Sequence, residues 1–157
     1  MFQFVSKSID MRKIGITVIA LMMVVAGFGQ TKVGYDEALA KKLGGENGLK
    51  KYVLAFLKSG PNRPTDSTAR AKLQAAHMAN IQRMADEGKL LVAGPFLDNG
   101  QLRGIYIFNV ETLEEAKALT ETDPAVKAGS LIMELHPWMS SAALQEIPRI
   151  HNSIVKR

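Results

Sequence analysis

His77 stands in "LQAAHMANIQRM", where Leu73, His77, Ile81 and Met84 recur at helical spacing and form one stripe. An imidazole titrates near neutral pH and can take or give a proton, provided a partner fixes its tautomer; a carboxylate usually does. The same position equally suits a partly buried helical histidine satisfied by a backbone carbonyl or water. On this stretch alone both readings stay open. Asp123, in "TDPAVKAG", is a carboxylate directly before Pro124, which reads as the cap of a short turn. Arg103, at the start of "LRGIYIFNV", can hold an anionic group or simply be solvated.

Other chemistries find little support. There is no cysteine, which excludes thiol catalysis, thiolate metal sites and lipidation of a leader cysteine. His77, His136 and His151 lack close metal-ligand spacing, so no metal is expected. No Walker-type glycine loop, GxSxG elbow or HExxH motif occurs. Trp138 reads as a core or interface anchor.

The elements that must position these groups follow from pattern. "KKYVLAFLKSG" (50–60) is a strand apolar on both faces, stopped by Ser59-Gly60-Pro61. A proline-rich loop leads to a cap at Thr65, Asp66 or Ser67 and a helix from about Thr68 to Glu87, ending at Gly88. "KLLVAGPF" and "LRGIYIFNV" form a hairpin around "DNGQ". "ETLEEAKALTETDPAVKAG" is a second helix, capped at Thr112 and limited by Pro124, with a last turn ending at Gly129. "SLIMELHPWM" is the fourth strand, expected to stop at Pro137. The order β-α-β-β-α-β predicts an α+β, ferredoxin-like fold with a four-stranded antiparallel sheet and two helices on one face. Apolar residues then remain on the other face, with Tyr106 and Phe108 expected on opposite sides. That exposure predicts a homodimer, sheet against sheet, with a small-molecule cavity between the sheets.

The chain's first 29 residues stand apart. A basic start at Arg12 and Lys13, an apolar run from Ile14 to Val25 and small residues at Gly27 and Gly29 make the pattern of a signal peptide. Cleavage would leave Gln30 first, and Met11 would be a cleaner start than Met1. Residues 30–49 read as an accessory helix or linker, with Tyr35, Leu39 and Leu43 on one stripe, and 140–157 as a tail. The whole chain has a formal charge of +5. Removing Lys7, Arg12, Lys13 and Asp10 leaves 17 basic and 14 acidic residues, with no basic block to suggest a nucleic-acid or membrane partner. The mature protein is expected in the periplasm or secreted.

The helical histidine, "GKLLVAGP" (88–95), "DPAVKAG" (123–129) and the closing Pro137-Trp138 together resemble the YciI-like (YCII-related) family from Lys50 to Trp138, within a domain read as 50–139. The resemblance implies a ferredoxin-like protomer that dimerises as an α/β barrel. It also implies a histidine–aspartate pair in a pocket, here His77 and Asp123, with no cofactor. One family member acts as a dehydrochlorinase on a chlorinated hydroxyquinol. The expectation is therefore general acid–base chemistry on a small cyclic or phenolic substrate, of lyase or hydrolase type. Asp123 would orient His77, Arg103 would hold an anion, and Gly94 and Pro95 would shape the wall. The alternative is a non-catalytic dimer binding a small ligand in the cell envelope.

Overall fold

The computed structural model describes residues 34–44, 47–98 and 100–156. The expected leader, its exit before Gln30 and the start at Met11 lie outside the described residues. Among the described residues, strands β1 (Leu49–Ser59), β2 (Leu90–Pro95), β3 (Leu102–Phe108) and β4 (Leu131–Ser141) form one sheet in the order β2-β3-β1-β4. Every pairing is antiparallel. Between β1 and β2 runs helix α2 (Ser67–Asp86); between β3 and β4 run α3 (Leu113–Thr120) and α4 (Pro124–Lys127). This is the expected ferredoxin-like α+β arrangement, with β1 and β3 at the centre.

Helix ends follow local chemistry. The Asp66 carboxylate accepts from the Ala69 amide at 2.8 Å and starts α2. Gly88, at φ +68, supplies the left-handed residue after it. Thr112 caps α3 by accepting from the Glu115 amide.

The main core lies between sheet and helices. Val53, Ala55 and Leu57 of β1 meet Met84 of α2, Tyr106 and Phe108 of β3, and Ala116 of α3. Tyr106 and Phe108 therefore share a face, contrary to expectation, because side chains two apart in a strand point the same way. A second, smaller cluster of Tyr52, Leu91 and Ile107 occupies the other face.

A bulge in β2 lets that strand serve both clusters. Leu90 pairs with Phe108 and Val92 with Ile107, leaving Leu91 as the additional residue. Leu90 is buried in the helix-side core, and Leu91 on the opposite side.

Two departures concern the chain's end. Strand β4 runs through Pro137, which pairs with Val53, and continues to Ser141. Strand β4 is an edge, so an imino nitrogen there removes no bond from a neighbouring strand. The tail then forms a 3-10 turn (Ala142–Glu146) and helix α5 (Ile147–Ile154). Leu144 of the turn packs on the second cluster, and α5 contacts β2. The tail thus covers part of the face left bare by the helices. Helix α1 (Glu37–Leu43) rests on the same turn through polar contacts: Lys42 with Glu146 at 3.3 Å, and Gln145 donating to the Leu43 carbonyl. Its expected apolar stripe is not buried, Leu39 being exposed.

Candidate active site

His77 lies at the middle of α2, half-way between the Asp66 cap and Gly88, on the face turned to the sheet. It is 8% exposed, whereas its neighbours Met78 and Ala79 face solvent. Asp123 precedes Pro124, whose fixed φ and missing N–H suit the first position of a helix. One Asp123 oxygen, Oδ1, accepts from the Ala125 amide at 2.8 Å and caps α4. The other, Oδ2, lies 2.8 Å from His77 Nδ1. Asp123 is fully buried. The two readings of Asp123, cap and histidine partner, are both satisfied, one by each oxygen.

A carboxylate can only accept, so Nδ1 carries the proton of this bond and Nε2 of a neutral imidazole keeps its lone pair. Nε2 faces the Tyr106 hydroxyl at 3.4 Å. The two rings are stacked, 6.4 Å apart at 18°. Burial, reinforced by the Asp123 carboxylate, pushes the Tyr106 phenol well above the usual tyrosine range. Tyr106 is therefore a neutral donor aimed at Nε2.

Beside this pair opens a cavity of ≈ 600 Å³, within the size range of small-molecule sites. His77 and Tyr106 line it, and Leu57, Leu73 and Ile81 supply apolar wall. Arg103, Gly94 and Pro95 line it as well, so each sequence-derived candidate is on or directly behind one cavity. This cavity lies between sheet and helices, within a single protomer, whereas the expected one is formed between the sheets of two; Ala93 and Gly104 present little bulk along its sheet side. Gly104, not Gly94, is where glycine is required: a Cβ there would collide with the Gly94 carbonyl, whereas one on Gly94 would meet nothing within 4 Å. Among the described residues no three His, Cys, Asp or Glu side chains converge as metal ligands.

Several side chains around the cavity and the His77–Asp123 pair escaped the sequence reading. Asn80, one turn beyond His77, is buried, and its Oδ1 accepts from Arg83 Nη2 at 2.9 Å. The same Arg83 nitrogen donates to Thr122 Oγ1 at 2.9 Å, adjacent to Asp123. This latch ties α2, which carries the histidine, to the loop that carries the aspartate. Arg63 and Arg70 also line the cavity. Only the spacing of Asn80 on the His77 side of the helix could have flagged any of them.

Residues 53–139 match the YCII-related domain. Protein YciI of Escherichia coli O6:H1 (strain CFT073) is 38% identical over 68 residues, covering 38% of this chain and 69% of that protein. The uncharacterized protein YjpA of Bacillus subtilis (strain 168) is 33% identical over 64 residues, 41% of this chain and 73% of that protein. Among solved structures, 5-chloro-2-hydroxyhydroquinone dehydrochlorinase (TftG) from Burkholderia phenoliruptrix AC1100, in complex with 2,5-dihydroxybenzoquinone, aligns with a TM-score of 0.42 at 26% identity. That alignment covers 55% of this chain and 92% of that one.

Proposed function

The chain belongs to the YCII-related domain family, and from that premise we propose that it is a cofactor-free enzyme using His77 and Asp123 for general acid–base chemistry on a small molecule. The observation that carries the reading is the 2.8 Å bond between His77 Nδ1 and the fully buried Asp123, set beside the cavity. Asp123 holds the imidazole with Nε2 free to accept. His77 takes a proton from a substrate O–H or C–H, and Asp123 stabilises the imidazolium that results. The same proton then goes to the leaving group, so the histidine ends as it began. Tyr106 donates to Nε2 in the empty site and is displaced from it, or donates to the substrate, on binding. Elimination and hydrolysis both fit this cycle, and the apolar wall suits a cyclic substrate.

The test is His77-dependent proton transfer. Hydroxyquinols, dihydroxybenzoquinones and cyclic ketones in D₂O should show deuterium uptake or turnover above the buffer rate with wild-type protein, lost in His77→Gln. Binding of these compounds with no exchange and no turnover in the wild type would return the protein to the role of a small-ligand binder.

Two further parts of the reading are export and pairing. The Met1–Gly29 pattern supports export to the periplasm or medium, which N-terminal sequencing of the mature protein would check. Ile132 is 49% exposed on the open sheet face, near half-buried Phe56 and Ile105. This apolar remainder, left uncovered by the tail, supports a homodimer through the sheet.

A further inference from the structure

The described chain has five arginines, and they divide sharply by location. Arg83 and Arg149, away from the cavity, each hold a carboxylate: Glu87 at 2.7 Å and Glu146 at 2.5 Å. Arg63, Arg70 and Arg103 line the cavity, and among the described residues none of the three has a carboxylate within 4 Å.

Their present partners are weak or peripheral. Arg63 donates to Ser59 Oγ at 3.1 Å, Arg70 to the Thr65 carbonyl at 3.3 Å and Arg103 to the Gly100 carbonyl at 3.3 Å. Each bond uses one nitrogen of a guanidinium that has five N–H donors. The three come from separate elements: the loop after β1, the first turn of α2, and β3. No acidic residue lines the cavity; Asp123 lies behind His77 and is bonded to it.

Three cations with no carboxylate partner converging on one cavity, where the other two described arginines are both paired, mark a site for negative charge. We propose that the substrate is a small organic acid whose carboxylate is held by Arg63, Arg70 and Arg103, while its apolar ring or chain lies along Leu73 and Ile81 toward His77. The guanidinium forks fix one end of the molecule and so set which of its atoms reaches Nε2. This inference rests on the cavity being the substrate site proposed above and adds the substrate's charge. Of the three arginines, Arg103 is the least exposed.

The test compares benzoate with its neutral isostere benzamide, by calorimetry or ligand-observed NMR on the full mature chain. Benzoate should bind at least roughly tenfold tighter than benzamide, and the preference should shrink as salt is raised. Arg63→Met, Arg70→Met and Arg103→Met should each weaken benzoate by roughly tenfold with benzamide unchanged, and Arg103→Lys should restore part of the loss. Arg149→Met, outside the cavity, should have no effect. Thermal midpoints measured alongside separate lost binding from lost folding. Equal binding of acid and amide, no saturable benzoate binding, or indifference to all three substitutions would overturn the proposal. Binding is read without turnover, so an inactive histidine pair leaves this result intact. Conversely, failed anion selectivity leaves the exchange test of His77 untouched.

Discussion

His77 and Asp123, 46 residues apart in the chain, meet through a single 2.8 Å bond, and the second oxygen of Asp123 holds the first turn of α4 at the same distance. One side chain therefore serves folding with one atom and proton chemistry with the other, and the two roles separate by substitution.

Asp123→Asn keeps the cap, because an amide oxygen accepts from the Ala125 N–H as well as a carboxylate does. Its NH₂ then faces His77 Nδ1 and favours the opposite tautomer, with the proton on Nε2 where the base should be. Asp123→Asn should fold with near-normal stability yet lose ~10²–10⁴-fold in proton-transfer rate. Asp123→Ala should in addition lose about 1–2 kcal/mol of stability. Urea unfolding reads the stability, and ¹⁵N NMR of the imidazole reads the tautomer.

Tyr106 gives the protein an alkaline limit. Its folded-state pKa is raised, first by burial and then by Asp123, so the unfolded chain releases the phenolic proton more readily. The stability it contributes is present in full below the unfolded tyrosine value of ~10 and is lost as pH climbs above it. The loss should reach about 1.4 kcal/mol at pH 11. Tyr106→Phe should flatten that decline in urea midpoints, leaving a remainder from Tyr52, which burial raises as well.

Gly104→Ala should destabilise the β2–β3 pairing by about 1–3 kcal/mol, because the new methyl collides with the Gly94 carbonyl. Gly94→Ala, which meets open space, should be nearly silent. Thermal unfolding of the two variants side by side checks the contrast.

Asn80→Ala removes the oxygen that accepts from Arg83 of the same helix and from Thr122 of the loop before Asp123. The expected cost is about 1–3 kcal/mol, together with reduced activity at unchanged benzoate affinity. Hydrogen exchange should show faster opening of the Thr122–Ala125 segment in this variant.

Light scattering should report a dimer for the mature chain, and Ile132→Lys should shift it toward monomer. A wild-type monomer would reject pairing through the open face.

Strand order, helix caps and the overall plan were legible because each depends on neighbours in the chain: alternation in β1, Asp66 before α2, Thr112 before α3. His77 was legible as an oddity within an apolar stripe. Its bond to Asp123 was not, since no local rule joins residues across a sheet crossover; the family resemblance brought the two together. The expected stop at Pro137 failed because a strand's place at the sheet edge is a tertiary property. The arginine cluster was hidden for the same reason: Arg63 and Arg70 look like ordinary loop and helix-start residues until the fold aligns them with Arg103. The tail's cover of the second sheet face likewise depends on where Leu144 lands, which periodicity alone does not specify.

The bulge at Leu91 sets the reading frame of the cavity wall. In an uninterrupted strand, Leu90, Val92 and Gly94 would share the helix-facing side. With one residue inserted, the series becomes Leu90, Ala93 and Pro95, and Val92 turns to the opposite face. Were Leu91 paired as an ordinary strand residue, with no bulge, the remaining strand would shift by half a period and turn a valine toward the imidazole in place of an alanine. The room beside His77 is in this sense written by a single extra amino acid in a neighbouring strand, at a distance from every group that does the chemistry.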